Sequence, residues 1–340
     1  MTRILQICLL LSIVLLPACG RDSRLPEYEL VGNAMGTTYS VLLVDPAVEV
    51  SKDRLEARIT ETLERIENLL STWRDGSELS KFNANPVSGW IDVSIELCEA
   101  IERALEVSRQ SNGAFDITVG PLVNLWGFGP QGDVSEPPED EALLEAMSKV
   151  GYEELQTRCD EPAVRKSDGA VYVDLSGWAK GHAVDEIAVL LDEHQLADYL
   201  IEIGGEVRVR GHNADGLKWA VAVETPSTTS RTPHSVLRVT NTSVATSGDY
   251  RNFFDHDGRH YSHTIDARTG RPIAHELAAV TVVSESAAYA DAMATALLVL
   301  GPAEGPRRAE ELGLAAFFLV RGKLSIQEVT TPHFDLLGKS

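Results

Sequence analysis

The sequence predicts an α+β fold with mainly antiparallel sheets. Short β-branched runs, punctuated by glycine or proline, occur at residues 171–175, 199–203, 207–209, 219–223, 236–239 and 278–283. Longer amphipathic patterns interleave with them, but not in strict strand–helix–strand order. No GxGxxG follows a first strand and no P-loop is present, so a nucleotide site must be built by other means.

Taken in order, the chain opens with Arg3, an apolar run over residues 4–16, and then Leu16-Pro17-Ala18-Cys19-Gly20. A positive residue, an apolar segment of this length and a small residue before a cut make an export signal over residues 1–18. The run is too short to span a bilayer as a helix, which takes about 20 residues. Leu16-Pro17-Ala18-Cys19 resembles a bacterial lipobox, whose cysteine is lipidated and becomes the first residue; an ordinary secretory signal is the alternative. Gly20 after the cysteine favours an outer-membrane anchor facing the periplasm. Residues 19–29 are polar, contain Pro26 and read as a tether, which leaves residues 30–340 as the folded domain.

Within that domain, Leu55, Ile59, Leu63, Ile66 and Leu70 predict a helix over residues 51–70. Ser94 can cap a second helix through Ile95, Cys98, Ile101 and Leu105. Residues 131–140 are acidic, carry Pro137-Pro138 and read as a loop, followed by a helix near 141–149. Residues 226–233 read as a Ser/Thr loop. Of four cysteines, Cys8 leaves with the signal and Cys19 would carry lipid. Cys98 reads as core and Cys159 as loop; an oxidising compartment allows a disulfide, but their spacing does not say whether they meet.

A formal net charge of −21 opposes nucleic-acid binding and electrostatic docking on anionic lipid. Residues 113–129 mix four glycines, three aromatics, one carboxylate and one proline, a composition that suits neither one helix nor one strand. It fits a tight corner or a flat wall beside a planar ligand. Asp291 and Thr295 fall on one face of an alanine-rich helix over residues 289–300. Their oxygens suit Mg2+; an Asp paired with an Arg and a Thr bonded back to its own helix is the alternative. Residues 253–264 predict a β-hairpin around Asp257-Gly258 that pairs His256 with Arg259, Phe254 with Tyr261 and Asn252 with His263. His256 and His263 then share a face and His260 points away, which does not favour a three-histidine metal site. His263 can serve as a general base near neutral pH. Gly204-Gly205-Glu206 reads as a structural turn.

Six blocks together resemble, in order, the signature of the ApbE family, the FAD:protein FMN transferases. They are Met35-Gly36-Thr37-Thr38-Tyr39, Ser77-Glu78-Leu79-Ser80-Lys81-Phe82-Asn83, residues 113–129, Asp174-Leu175-Ser176-Gly177-Trp178-Ala179-Lys180-Gly181, residues 246–252 running on to 261–266, and residues 290–297. The resemblance implies a T-fold-like α+β body. It implies Mg2+ held by Asp291, Thr295 and the backbone carbonyl of Ala179, with His263 as base. It assigns flavin contacts to Met35, Trp73, Ala114, Phe115, Asp116, His182 and Ile265. Trp73 stands where relatives usually have Tyr and would stack on a ring. Asp116 would accept bonds from ribityl or ribose hydroxyls. His182 also stands at a usual Tyr position, Trp178 replaces a smaller aliphatic residue, and Ala267 replaces a common Pro. The implied reaction moves FMN from FAD to a threonine of a respiratory flavoprotein, such as a subunit of the Na+-translocating NADH:quinone oxidoreductase, releasing AMP. FAD hydrolysis at the same site and non-catalytic flavin binding are the alternatives.

If the lipobox reading holds, the mature protein begins at Cys19 and partitions with membranes. Cys19→Ser should release it or leave the precursor uncleaved. Intact-mass analysis reads this directly, and cleavage elsewhere without acyl chains would reject it.

Overall fold

The computed structural model describes residues 24–45, 51–130, 136–227, 232–250 and 252–337. The export signal, Cys19 and the first part of the tether lie outside these residues, as do parts of the expected loops at 131–140 and 226–233.

The chain starts with the hairpin β1 (Glu27–Ala34) and β2 (Thr37–Val44). Helices α1 (Lys52–Leu70) and α2 (Glu78–Ala84), strand β3 (Gly89–Asp92) and helix α3 (Ile95–Gln110) follow. Then come α4 (Gly120–Leu125), α5 (Asp140–Met147), β4 (Leu155–Arg158), β5 (Ala163–Lys166) and α6 (Ser176–Glu193). Strands β6 (Tyr199–Ile203), β7 (Glu206–Arg210), β8 (Trp219–Glu224), β9 (Pro233–Val239) and β10 (Thr242–Gly248) lead to the hairpin β11 (Phe253–His256) and β12 (Arg259–Ser262). After the short pair β13 (Ile265–Asp266) and β14 (Arg271–Pro272) come β15 (Leu277–Ser284) and α7 (Ala287–Glu311). Strands β16 (Ala315–Arg321) and β17 (Ile326–Thr330) and helix α8 (Pro332–Leu337) end the described chain.

Eight strands make one antiparallel sheet in the order β1-β2-β6-β7-β10-β15-β16-β17. Alternation decides which layer each side chain joins. Tyr199, Ile201 and Ile203 enter the main core with Ile59, Leu63 and Ile66 of α1, Ile101 and Leu105 of α3, and the apolar faces of α6 and α7. Leu200, Val207, Val209 and Val244 project to the opposite face, where the β8–β9 hairpin brings Trp219 and Val221 onto them. Covered on both sides, β15 is buried from Leu277 to Val283, hence its unbroken apolar run. Each large aliphatic side chain so buried contributes about 1.5–3 kcal/mol.

Helices α6 and α7 cross closely because glycine permits it. A Cβ at Gly181 would sit 2.4 Å from the carbonyl oxygen of Ala287 and 2.6 Å from the Cα of Ala288. Alanines at 290, 292, 294 and 296, themselves fully buried, keep the first half of α7 slim. The helix kinks at Gly301, whose φ is 80°, just before Pro302.

The predicted helices over 51–70, 95–105 and 141–149 appear as α1, α3 and α5, and the Ser94 hydroxyl accepts from Leu97 N–H at 3.1 Å. Residues 171–175 are not a strand. Their extended backbone bonds to a side chain and a loop instead: the Asn83 amide takes both Val173 N–H and Val173 C=O at 2.8 Å, and Asp174 N–H donates to Ile117 C=O at 2.7 Å. The fold begins before Leu30, since β1 starts at Glu27 and Leu25 N–H donates to Ala214 C=O at 2.9 Å.

Cys98 and Cys159 form a disulfide, tying α3 to the turn between β4 and β5. It closes a loop of 61 positions, for which the chain-entropy model gives about 4 kcal/mol against the unfolded state. Cys98→Ala with Cys159→Ala, or reduction of the wild type, should therefore lower the thermal midpoint by several degrees. Calorimetry with and without reductant checks it; an unchanged midpoint would reject the assignment.

Candidate active site

One cleft of about 950 Å3 opens at the end of the large sheet where β6 turns into β7. It gathers residues from segments far apart in the sequence. Met35, Trp73, Ala114, Phe115, Asp116, His263, Ile265, Asp291 and Thr295 all line it. Ala179 and His182 do not.

One wall begins with Glu67 of α1, whose carboxylate accepts from Met35 N–H and from the Arg74 guanidinium. That carboxylate joins the β1–β2 turn, where Met35 adopts a φ of 53°, to the loop bearing Trp73. The hydroxyls of Ser77 and Ser80 close this loop by donating to Ser71 C=O at 2.6 and 3.1 Å. Trp73 remains 67% exposed, its ring free to cover a ligand. Phe115 is buried and packs on Gly177, where a Cβ would lie 3.0 Å from its ring. Asp116 also faces the cleft, but its carboxylate is committed internally. Oδ1 accepts from Thr118 N–H at 2.7 Å and Thr118 Oγ1 at 2.6 Å, while Oδ2 accepts from Tyr152 N–H at 3.0 Å. Burial raises its pKa and these three donors oppose the rise. The expected role in binding ligand hydroxyls thus competes with a structural one.

Charge is concentrated on the opposite wall. Lys180 Nζ lies 2.6 Å from Glu206 Oε1 and 3.6 Å from Asp291 Oδ2, and both carboxylates are 3% exposed. Asp291 Oδ2 also accepts from Gly181 N–H at 3.2 Å, a contact permitted by the close α6–α7 crossing. Burial pushes the Asp291 carboxyl up to about 8; Lys180 pulls it back, and Glu206 adds repulsion. Glu206 Oε2 is buried without a hydrogen-bond partner among the described residues. One turn along α7, the Thr295 hydroxyl shares a 2.9 Å hydrogen bond with Ser247 Oγ. Two carboxyl groups around one ammonium, beside a hydroxyl, make an oxygen-rich corner. It fits a hard divalent cation better than a neutral ligand.

Two carried-over residues fall elsewhere. Ala179 is 8% exposed inside α6, and Gly177 is the residue of the same motif that approaches Thr295, with a Cβ position 3.7 Å from its Oγ1. His182 is two residues past Lys180, a rotation of about 200° around a helix. It therefore faces α1 and α3, where burial lowers its pKa, Glu186 and Asp185 oppose, and Arg65 and Arg103 add to the fall. Lys180, Phe128, Asp174, Ser247 and Glu206 line the cleft but were not singled out as site residues in the sequence. Gly204 and Gly205, read as structural, line it too.

The base candidate stands beyond the end of β12. The hairpin pairs as predicted, His256 with Arg259 and Phe254 with Tyr261. Trp126, Phe128, Phe254 and Tyr261 stack beneath it with centroids 5.1–6.5 Å apart, and Trp126 Nε1 donates to Gly270 C=O at 2.8 Å. His263 N–H and Nδ1 both lie 3.0 Å from Asn252 C=O. A carbonyl only accepts, so Nδ1 carries the proton and Nε2 is the basic nitrogen. Burial lowers the pKa of His263, the Asn252 carbonyl opposes, and the charge of Lys180 adds to the fall. The balance favours the neutral imidazole.

Metal affinity should follow the Asp291 carboxyl. Since its pKa is raised to about 8, a proton competes with a cation below that value. Mg2+ affinity measured by calorimetry should strengthen roughly tenfold per pH unit up to about 8 and then level off. Asp291→Ala should lose the interaction while remaining folded. Affinity independent of pH, or intact in Asp291→Ala, would contradict the assignment.

Known proteins resemble this chain over most of its length. The ApbE family model matches residues 35–318. An FAD:protein FMN transferase of Vibrio cholerae is 38% identical over 326 residues, covering 96% of this chain and 96% of that protein. One of Haemophilus influenzae is 37% identical, covering 90% and 89%. The solved flavin transferase ApbE of Vibrio cholerae superposes with a TM-score of 0.86 at 36% identity, covering 92% of this chain and 99% of that one. With five of the six motif blocks lining one cleft and relatives of this extent, the chain belongs to the ApbE family and is an FAD:protein FMN transferase.

Proposed function

We propose that the protein transfers FMN from FAD to a threonine hydroxyl of an acceptor flavoprotein, releases AMP and depends on Mg2+. The observation that carries this reading is His263 itself: an imidazole oriented by a main-chain carbonyl, on the same cleft as Asp291 and Thr295. FAD binding without chemistry needs no such base.

In this reading the flavin ring lies against Phe115, Ile265 and Trp73, and the pyrophosphate reaches the corner formed by Lys180, Asp291 and Thr295. Held there, Mg2+ supplies neutralisation of the charge on the phosphate oxygens. His263 Nε2 accepts the threonine proton as the hydroxyl oxygen attacks the FMN-side phosphorus. A new P–O bond to threonine forms, the bond from that phosphorus to the bridging oxygen breaks, and AMP leaves with the electron pair. The aromatic packing under the hairpin keeps the base from drifting, which preserves the advantage of a fixed approach.

The acceptor class proposed is a respiratory flavoprotein, with a subunit of the Na+-translocating NADH:quinone oxidoreductase as the first candidate. Lipidation at Cys19 and a periplasm-facing location complete the reading. The Cys98–Cys159 disulfide supports export, because such bonds persist in oxidising compartments.

His263→Ala separates chemistry from binding. FAD affinity, read by fluorescence quenching, should stay near wild type, because the aromatic wall and Asp291 are untouched. Transfer to the acceptor, followed as covalent flavin fluorescence in gels, should fall by roughly 10²–10⁴-fold. The residual rate should rise with pH as hydroxide stands in. For the wild type, the lowered His263 pKa places the acid limb of the rate below pH 6.5, the side chain's ordinary value. Near-normal transfer by folded, FAD-binding His263→Ala would remove it from the mechanism. AMP release without flavin attachment in the wild type would favour hydrolysis.

A further inference from the structure

Among the motif residues, Asp249 is given no step in the chemistry above, though its charge raises the His263 pKa; it is 6% exposed and tightly held. Its Oδ2 accepts from Arg321 Nη1 at 2.7 Å and its Oδ1 from Arg321 Nη2 at 2.5 Å. This is a two-pronged guanidinium–carboxylate pair, the geometry in which arginine gives direction as well as charge. Arg321 is the last residue of β16, and its N–H donates to Glu276 C=O at 2.7 Å. Asp249 follows β10, and its N–H donates to Ala278 C=O at 3.2 Å. Both backbones therefore anchor on the start of β15, where the register shifts between Leu277 and Ala279.

The place of this pair gives it a consequence. Gly248, immediately before Asp249, lines the cleft, and its missing Cβ leaves room for the Tyr250 ring, which would lie 2.3 Å away. Three positions after Asp249 stands Asn252, whose carbonyl meets both His263 N–H and Nδ1. A small rotation of that carbonyl would change the orientation of the imidazole and release the proton that fixes Nε2 as the base.

We propose that the Asp249–Arg321 pair is a positioning device for the base: it pins the strand exit from which the Asn252 carbonyl orients His263. The proposal rests on reading His263 as the base. Neither side chain contacts the reacting atoms.

Arg321→Gln removes the charge, and Arg321→Lys keeps the charge but loses the fork. Single-turnover FMN transfer to the acceptor should fall by roughly 10–100-fold in Arg321→Gln, the usual cost of losing a group that orients a working side chain. Arg321→Lys should be intermediate. FAD affinity should remain within about threefold of wild type. The decisive comparison is a double-mutant cycle with His263→Ala. Once the base is gone, adding Arg321→Gln should slow transfer no further. A general structural role predicts the same factor of loss in both backgrounds, and that result would overturn the proposal. So would wild-type transfer in folded Arg321→Lys and Arg321→Gln, or loss of FAD binding in step with loss of rate. Near-normal transfer in His263→Ala alone would instead remove the base reading on which the proposal stands.

Discussion

Everything in the cleft depends on how closely α6 and α7 approach. Gly181 lets the backbone of α7 settle against α6, and the alanines of α7 keep that distance along the crossing. Asp291 is thereby carried into the interior, where an isolated carboxylate would be costly. It is tolerated because Lys180 reaches across from α6 and Gly181 N–H donates to it. Lys180 is shared with Glu206 at the β6–β7 turn, so two helices and the end of the sheet are tied through one ammonium. Breaking such an arrangement on one side leaves a buried charge uncompensated. The packing and the electrostatics of the site are one constraint.

Two supports hold the remaining walls, and each uses side chains to satisfy irregular backbone. Asn83 binds both polar groups of Val173 and so carries the segment entering α6 without a strand partner. The Ser77 and Ser80 hydroxyls do the same for the loop of Trp73. On the far side, stacked aromatics and the Trp126–Gly270 bond brace the hairpin. Buried backbone must find partners somewhere. Where sheet and helix end, these motifs supply them, which is why short polar blocks as well as apolar ones mark the cleft.

Much of this was legible in the sequence, for physical reasons that differ by element. The helix of α1 shows because one face is apolar at helical spacing, and the hairpin shows because Asp257-Gly258 admits positive φ, 47° and 74° in the structure. The segment 171–175 misled because its β-branched pattern is real, while its partner is an amide side chain and not a strand. Helix α6 was missed because Gly177 and Gly181 oppose helix formation locally and are kept for close approach. His182 shows another limit: a motif read as a string does not say which way each side chain of a helix faces, and two positions past Lys180 the imidazole turns away from the cleft. Lys180 and Glu206 required tertiary information, since 26 positions separate them and only the turn at Gly204-Gly205 brings them together. The disulfide is of the same kind, its cysteines meeting only once α3 packs beside β4 and β5.

The charge balance of the molecule sharpens what the cleft must do. The surface is strongly acidic, with a formal net charge of −21, and a dinucleotide substrate is itself anionic. Long-range attraction does not gather it; on the proposed reading recognition is local and largely apolar, through the wall of Phe115, Ile265 and Trp73. Lys180, the cation nearest the buried carboxylates, is already matched against Glu206 and Asp291 and has little charge to spare for phosphate oxygens. On the proposed reading, a divalent cation at Asp291 and Thr295 changes that sum, partly neutralising the carboxylates and freeing Lys180 to turn toward the pyrophosphate. The same shift of charge would sit beside His263, whose neutrality already owes something to Lys180. Substrate charge, metal and base would then be linked through a single lysine, so that the base is kept unprotonated when the site is filled for reaction.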